Sequence, residues 1–355
     1  MRAHPPPPSI RVHSRWIALA IGLVLGLVAL SASALETEAS TPPSPAKTEQ
    51  ARALERAHAA VVGIHASAVE GATTSAALGQ ERLGSGVVIG TDGLVLTIGY
   101  LILEADHVDL VLHDGRQLPA RVVAYDQASG FGLLQALAPL DAEPAPFGDA
   151  AATTTDEPLL IASGFRGGVL SLAQLVSRRG YSGYWEYRIE DALFTAPPRP
   201  DHSGAGLFNA AGELIGIGAL LVSDALGAGH PALEGNMFVP IDLLKPILGE
   251  LRAHGASAGS RRPWLGVNCV EYEGRVWVLR LVSAGPAEAS GLRPGDQISA
   301  IDGIDVSDLK SLYRTLWKGD PGREVVLDIV RAGAAQRLTV HTRDRHEMLR
   351  RPRGV

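Results

Sequence analysis

Short apolar runs separated by turn residues fill most of the chain between residues 61 and 240. The runs recur at roughly ten-residue intervals, and turns such as Thr91-Asp92-Gly93 and His113-Asp114-Gly115 connect them. Such spacing predicts an all-β barrel or sandwich. A short helix is predicted before the first run, at residues 50–60, and a second at residues 241–252. The clearest runs are residues 86–89, 94–97, 108–112, 120–124, 213–218 and 236–240.

A different pattern begins beyond a Gly/Ser/Ala-rich linker at residues 255–261. Apolar runs here alternate with helical segments, which predicts a separate α+β domain at residues 262–345. Residues 346–355 are rich in arginine, and we expect them to form a solvated basic tail. The strands are predicted at residues 264–270, 276–281, 297–301 and 325–330, and the helices near residues 287–289 and 309–317.

The N-terminal 34 residues have the pattern of an export signal. Arginines precede an apolar run at residues 16–30, and Ala32-Ser33-Ala34 offers a cleavage site after Ala34. The apolar stretch extends to residue 35, which is also just long enough to span a bilayer uncleaved. We therefore expect either a cleaved signal or a membrane anchor, with the body of the protein exported. Residues 35–50, rich in Pro, Thr, Ser and Glu, are predicted to form a flexible linker.

The composition and net charge of the chain limit the classes of fold and function that it can have. A chain of 355 residues with 46% hydrophobic residues can form two domains with sizeable cores, and its net charge of −6 does not favour nucleic-acid binding. The single cysteine, Cys269, excludes an intrachain disulfide and lies in an apolar run, so we expect a buried thiol. No residues fall at metal-ligand spacing and no phosphate loop is present, so no metal or cofactor is predicted.

The order of several motifs resembles the HtrA/Deg family of trypsin-like serine proteases across residues 60–250. The later domain resembles the PDZ domain that follows the protease in that family. The resemblance implies a mainly β fold, a trypsin-like double β-barrel at residues 51–254 followed by the PDZ domain. The matching segments are residues 84–97, 113–123, 203–209 and 212–217 in the barrel, and residues 262–267, 285–298 and 301–303 in the PDZ domain.

Two of the three catalytic positions implied by the resemblance are altered. Tyr100 stands where the family has its histidine base, and a phenol with a pKa near 10 is a poor base at neutral pH. Gly130 stands where the family has the aspartate that orients the base. Ser203 keeps the nucleophile position, and Asp201 replaces a glycine of the oxyanion hole. These departures predict an inactive site.

Other histidines do not fit the missing base. His202 neighbours Ser203, but adjacent side chains usually point apart, while His65 and His107 fall in a strand and a loop away from the base position. We therefore expect all three to be structural or exposed. An active serine endopeptidase that uses a non-standard base with Ser203 remains the alternative.

The PDZ resemblance implies a groove for peptide C-termini. Amides near residues 264–266 would hold a terminal carboxylate, and a partner strand would add beside residues 266–268. A covered groove packed on the barrel is the competing expectation. The predicted peptide-binding residues are Trp264, Leu265, Gly266, Val267 and Asn268.

These expectations together predict a periplasmic HtrA-like pseudoprotease that binds peptides or the C-termini of envelope proteins as an adaptor, chaperone-like or regulatory protein. A regulatory subunit of an active HtrA-like paralogue and a purely structural envelope protein are further alternatives. The membrane would be contacted only through an uncleaved N-terminal segment. The family usually trimerises through N-terminal aromatic residues, but none lies between Trp16 and Tyr100, which leaves the oligomeric state open.

Overall fold

A computed structural model describes residues 45–164 and 168–350. The predicted signal or anchor at residues 1–34 lies outside the described residues, as do the first part of the linker and residues 351–355. Within the described ranges, no helix is both long enough and apolar enough to cross a membrane.

The first six strands close into a barrel, in the order β1-β2-β3-β6-β5-β4. All neighbouring pairs are antiparallel, so short turns suffice to connect strands that follow one another. Every residue of β3 is buried, because this strand lies between the barrel interior and the second barrel. The strands are β1 (Val61–Ala68), β2 (Glu81–Val88), β3 (Leu94–Ile98), β4 (Ala105–Val111), β5 (Gln117–Tyr125) and β6 (Phe131–Ala136).

The next six strands form a second closed barrel, in the order β10-β11-β12-β9-β8-β7. One hairpin, β8–β9, is much longer than the others and extends to a turn at residues 184–186. The strands are β7 (Pro158–Ser163), β8 (Val169–Gly183), β9 (Tyr187–Ala196), β10 (Gly206–Phe208), β11 (Leu214–Val222) and β12 (Gly235–Pro240).

Both barrels share one hydrophobic core. Four phenylalanines are fully buried there, and packing of this kind is the main source of stability in a chain without disulfides. The double barrel confirms the predicted mainly β, trypsin-like fold. The four side chains are Phe131, Phe194, Phe208 and Phe238.

The C-terminal domain has its own core and the predicted PDZ fold. Cys269 is fully buried within it, and burial raises the pKa of the thiol, as expected for a structural cysteine. The sheet has the order β14-β15-β16-β18-β19, with β17 beside β16, and β13 pairs with β20. The strands are β13 (Pro263–Trp264), β14 (Val267–Tyr272), β15 (Arg275–Leu281), β16 (Gln297–Ile301), β17 (Ile304–Asp305), β18 (Glu324–Arg331), β19 (Ala334–His341) and β20 (Arg343–Asp344).

In the described part of the chain, five α-helices connect or cover these sheets. The helix predicted at residues 241–252 is shorter than expected, because Pro246 lacks an N–H and the α-helix begins only after it. The α5 helix begins at a capping box in which the Asp308 side chain accepts from the Ser311 N–H. The helices are α1 (Pro45–Ala59), α2 (Ser75–Leu78), α3 (Leu248–His254), α4 (Pro286–Ala289) and α5 (Leu309–Leu316).

The segment between the two domains is fixed on the barrel. The Ser257 hydroxyl donates to the buried Asp126 carboxylate, and the Gln127 N–H donates to the Ser260 hydroxyl at 2.6 Å. The predicted linker is therefore an ordered connection, and the two domains have a fixed contact.

The expectation of a solvated tail from residue 346 is wrong for the part that the structure describes. His346 lies in a short 3-10 turn with its side chain against the Asp344 carboxylate. Four residues later, the Arg350 N–H donates to the Glu104 carboxylate of the first barrel at 2.8 Å. The bond to Glu104 is donated by a main-chain N–H, which does not depend on the charge of the Arg350 side chain, so composition gave no indication of it.

Candidate functional site

Tyr100 and Ser203 meet between the two barrels. Tyr100 lies in a 3-10 turn directly after β3, and Ser203 lies in the loop before β10. The Tyr100 Oη is 2.8 Å from the Ser203 Oγ and 3.0 Å from the Ala219 carbonyl oxygen. The two barrels thus bring together the hydroxyl groups of Tyr100 and Ser203, which were predicted to stand at the base and nucleophile positions.

The Tyr100 hydroxyl has two oxygen neighbours, the Ser203 Oγ and the Ala219 carbonyl oxygen, but only one proton to donate. The Ala219 carbonyl can only accept, so both bonds form when the Tyr100 hydroxyl donates to Ala219 and accepts from the Ser203 hydroxyl. Burial raises the pKa of Tyr100 to about 12, and its bond to Ser203 only partly opposes this shift. At neutral pH the phenol is protonated and cannot take the Ser203 proton.

The space beside Gly130 is filled by a side chain from another strand. Gly130 has φ +83°, and a Cβ added there would lie 2.8 Å from the Tyr187 Oη. The Tyr187 hydroxyl donates to the Ser129 carbonyl at 2.8 Å, which holds the ring in place. No side chain fits at Gly130 unless Tyr187 moves.

Asp201 is neutralised by its neighbours. Arg199 donates two hydrogen bonds to the Asp201 carboxylate, at 2.9 and 2.5 Å, and the Ser163 hydroxyl donates a third at 2.8 Å. Burial opposes ionisation of Asp201, but these bonds outweigh it and lower its pKa. The expected negative charge beside Ser203 is therefore present but paired.

The three other histidines considered from the sequence are all engaged elsewhere. The His202 Nδ1 lies 2.9 Å from the Arg199 carbonyl oxygen, and burial lowers the pKa of this ring. His65 pairs with Glu81, and His107 pairs with Asp109, on exposed parts of the first barrel. Of the residues that the structure describes, none of these rings contacts Ser203.

A groove of about 640 Å³ extends from Tyr100 to the PDZ domain. Its walls are mostly apolar and carry seven Tyr and Trp side chains, and they include both the barrel hairpin and the first residues of the PDZ domain. The rings at the centre of the site are Tyr100, Tyr184, Trp185, Tyr187, His202 and Trp264.

The predicted carboxylate-binding amides of the PDZ domain already have an acceptor. The N–H groups of Leu265, Gly266 and Val267 donate to the carboxylate of Glu186, at 3.0, 2.7 and 3.0 Å. Leu265 and Val267 are fully buried beneath this contact. The structure therefore places the predicted residues together, but the open groove expected there is covered by the barrel.

Trp264 and Asn268 flank these three amides. Both are buried, and both line the groove of about 640 Å³. Trp264 belongs to β13 and pairs with Arg343 in β20, which connects it to the end of the PDZ domain. These two residues therefore face the barrel groove as well as the PDZ loop.

Both the barrel part and the C-terminal domain of the chain match known protein families. The trypsin-like peptidase domain matches residues 84–217, and the PDZ domain matches residues 263–342. The chain thus combines a trypsin-like peptidase domain with a PDZ domain, an arrangement similar to that of HtrA-type proteases. Both matches agree with the double barrel and the separate core described above.

Among curated proteins, the HtrA-like chain is similar to a putative serine protease HhoA of Synechocystis. The two are 26% identical over 94% of this chain and 96% of the relative. Probable periplasmic serine endoproteases, DegP-like, of Halomonas elongata and Hahella chejuensis are 27% and 26% identical over 75% and 71% of this chain. The chain spans 57% and 55% of those two relatives.

Solved structures agree on the fold. The HtrA-like chain superposes on the HtrA-type protease AlgW with a tripeptide at a TM-score of 0.51, with 24% identity over 85% of this chain and 98% of that one. A serine endoprotease from Yersinia pestis gives a TM-score of 0.52, with 21% identity over 83% and 97%.

Two residues that contact the candidate site, Glu186 and Tyr187, were not identified from the sequence. The available signal was an aromatic cluster at the β8–β9 turn, where Tyr184, Trp185 and Tyr187 follow Tyr181 in a chain with only 5% aromatic residues. Such a cluster indicates a contact surface. It does not indicate which part of the chain makes the contact.

Proposed function

We propose that this HtrA-like chain is an exported pseudoprotease that binds polypeptide segments without cutting them. The observation that carries the proposal is the hydrogen bond between the Tyr100 phenol and Ser203, at the place where hydrolysis needs a base. Tyr187 over Gly130 supports it, because the site has no space for an orienting carboxylate.

The loss of hydrolysis rate expected from the altered triad favours an inactive protein. Loss of the base alone reduces hydrolysis by about a millionfold in a serine protease, and loss of further triad members adds little. An oxyanion hole preserves roughly 10³- to 10⁴-fold at most. In this chain the loop before Ser203 carries Asp201 where the family has glycine, and a carboxylate there, although paired with Arg199, does not favour a developing negative charge.

Peptide binding is supported by the groove beside Ser203. Its apolar walls, with their Tyr and Trp rings, suit apolar side chains of an extended polypeptide. The β14 edge of the PDZ domain, which the barrel hairpin covers in this structure, is of the kind to which a peptide adds as a strand. AlgW, which shares the fold, has been solved with a tripeptide and with a decapeptide. The ligands proposed here are peptides or C-termini of envelope proteins.

Location in the periplasm is part of the proposal. The predicted export signal and the periplasmic DegP-like relatives both support it. A regulatory role on an active HtrA-like paralogue is compatible with the same binding function, and co-purification with such a paralogue would reveal it.

An active serine endopeptidase is the second candidate, because Ser203 is retained and hydrogen-bonded to a hydroxyl group. Incubation of the purified protein with casein and with a fluorophosphonate probe separates the two candidates, with Ser203→Ala as the control. We expect no cleavage and no labelling by either form. Cleavage or labelling by the wild type alone would show that another base serves Ser203.

A further inference from the structure

The turn of the long β8–β9 hairpin ends inside the PDZ domain. Glu186 is 1% exposed, and its φ of +57° turns the chain so that the carboxylate faces the loop before β14. Three successive N–H groups of that loop donate to the two carboxylate oxygens. A cluster of backbone N–H groups of this kind is how PDZ domains capture a C-terminal carboxylate.

A second contact, at the edge of β14, resembles the hydrogen bond that a bound peptide would make with that strand. The Cys269 N–H in β14 donates to the Tyr184 carbonyl at 2.8 Å, two residues before Glu186. A peptide added as a strand would accept a hydrogen bond from the same edge of β14. The turn thus imitates both the carboxylate and the main chain of a PDZ ligand.

The opposite wall of the PDZ groove also holds the turn. The Tyr313 hydroxyl in α5 donates to the Gly183 carbonyl at 2.7 Å, and the Glu186 N–H donates to the Tyr313 oxygen at 3.2 Å. The turn therefore lies between β14 and α5, and the carbonyls of Gly183 and Tyr184 and the Glu186 N–H are hydrogen-bonded to the PDZ domain. Satisfied buried polar groups make this a specific contact, since unpaired ones would cost free energy.

The chemistry of the donors suits a carboxylate in particular. A carboxylate only accepts hydrogen bonds, and the loop offers three N–H donors to its two oxygens. Burial raises the pKa of Glu186, and the bonds from Val267, Leu265 and Gly266 oppose that shift. An amide side chain of the same size would direct its NH₂ group at one of these donors.

We propose that Glu186 is an internal ligand of the PDZ groove, and that an external C-terminal carboxylate binds only by displacing the β8–β9 turn. This rests on the proposed function in that it regulates the same peptide-binding site. The apparent dissociation constant of an external peptide equals its intrinsic value divided by the fraction of molecules with the turn displaced. A turn that is closed in about 99% of molecules would weaken binding about a hundredfold.

Displacement of the turn would also alter the barrel. Trp185 stacks on Tyr187 with ring centroids 5.6 Å apart, and both rings line the groove that contains Tyr100. A peptide that takes the place of Glu186 therefore removes part of the wall of that groove. Binding at the PDZ domain and binding in the barrel are coupled through one hairpin.

The test compares Glu186→Gln with the wild type as full chains. The probe is a fluorescein-labelled pentapeptide, serine-glycine-tyrosine-tryptophan-valine, with a free C-terminal carboxylate, followed by anisotropy. We expect the dissociation constant to fall at least tenfold in Glu186→Gln. The same peptide with a C-terminal amide should stay weak with both. Glu190→Gln is the matched control, since the Glu190 carboxylate is exposed on β9 and pairs with Arg188.

Hydrogen exchange gives a second readout that needs no peptide. The amides of Leu265, Gly266 and Val267 should exchange at least tenfold faster in Glu186→Gln and at an unchanged rate in Glu190→Gln. Equal peptide affinity of wild type and Glu186→Gln, or unchanged exchange of these amides, would overturn the proposal. Cleavage of casein by the wild type would overturn the proposed function instead, and it would leave these two comparisons unaffected.

Discussion

The phenol of Tyr187 occupies the space that a side chain at Gly130 would need. The distance from a Cβ at residue 130 to the Tyr187 Oη would be 2.8 Å, shorter than real Cβ contacts. The Tyr187 hydroxyl is itself bonded to the Ser129 carbonyl, next in the chain to Gly130. The absence of a side chain at Gly130 and the position of the Tyr187 ring are therefore one packing arrangement, and an aspartate introduced at residue 130 would have to displace Tyr187.

Replacement of Gly130 by alanine should cost more stability than the same change at Gly115. Both glycines have nearly the same backbone angle, φ +83° and +84°, so both variants lose about 1 kcal/mol from strain. A Cβ at Gly115 has no neighbour within 4 Å, whereas one at Gly130 must displace Tyr187. We expect a total loss of about 2–4 kcal/mol for Gly130→Ala by urea unfolding. Equal losses at the two positions would contradict the contact.

The protonated Tyr100 hydroxyl should stabilise the fold, and this stabilisation should be lost at alkaline pH. Its folded pKa is about 12 against about 10 in the unfolded chain, so its contribution is complete below pH 10 and is lost as pH rises from 10 to 12. The gap in unfolding free energy between wild type and Tyr100→Phe should shrink by up to roughly 2–3 kcal/mol over that range. Tyr272→Phe, at an exposed ring, is the control. A constant gap would show that the hydroxyl ionises freely in the folded state.

Glu104 should anchor the C-terminal segment to the first barrel. Its carboxylate accepts from the N–H and hydroxyl groups of Thr73 and Thr74, and from the Arg350 N–H. Glu104→Ala leaves these donors without an acceptor, at a cost of about 2–3 kcal/mol. Trypsin should then release the C-terminal residues faster, as followed by mass spectrometry. Glu143→Ala, at an exposed position, should behave as wild type.

Asp126 should hold the connection between the two domains. Its buried carboxylate accepts from the Ser129 hydroxyl and from the N–H and hydroxyl groups of Ser257. Asp126→Ala should cost about 2–3 kcal/mol and expose the bond after Arg261 to trypsin. Cleavage no faster than in Asp156→Ala, a change at an exposed aspartate, would show that the connection is held by other contacts.

Much of the fold could be predicted because its signals are local. Apolar runs separated by Gly-containing turns indicated the barrel strands, and the predicted strand at residues 297–301 coincides with β16. Tyr100, Gly130 and Ser203 were identifiable because each lies at a fixed place in a short motif. The β19 strand was not predicted, since its mostly exposed residues 334–339 leave no alternating apolar pattern.

The sequence by itself determined that the chain has a β-barrel part and a separate α+β domain, because strand periodicity and turn chemistry depend on neighbours in the chain. Its resemblance to the HtrA/Deg family added the trypsin-like double barrel, the PDZ domain and the catalytic positions predicted to be altered. Only the tertiary structure decided that Tyr187 fills the place beside Gly130 and that Glu186 occupies the PDZ amides. Tyr187 and Gly130 lie 57 residues apart in the chain, and Glu186 and Gly266 lie 80 residues apart. Contacts at such separation form when barrels close and domains dock, and no local pattern encodes them.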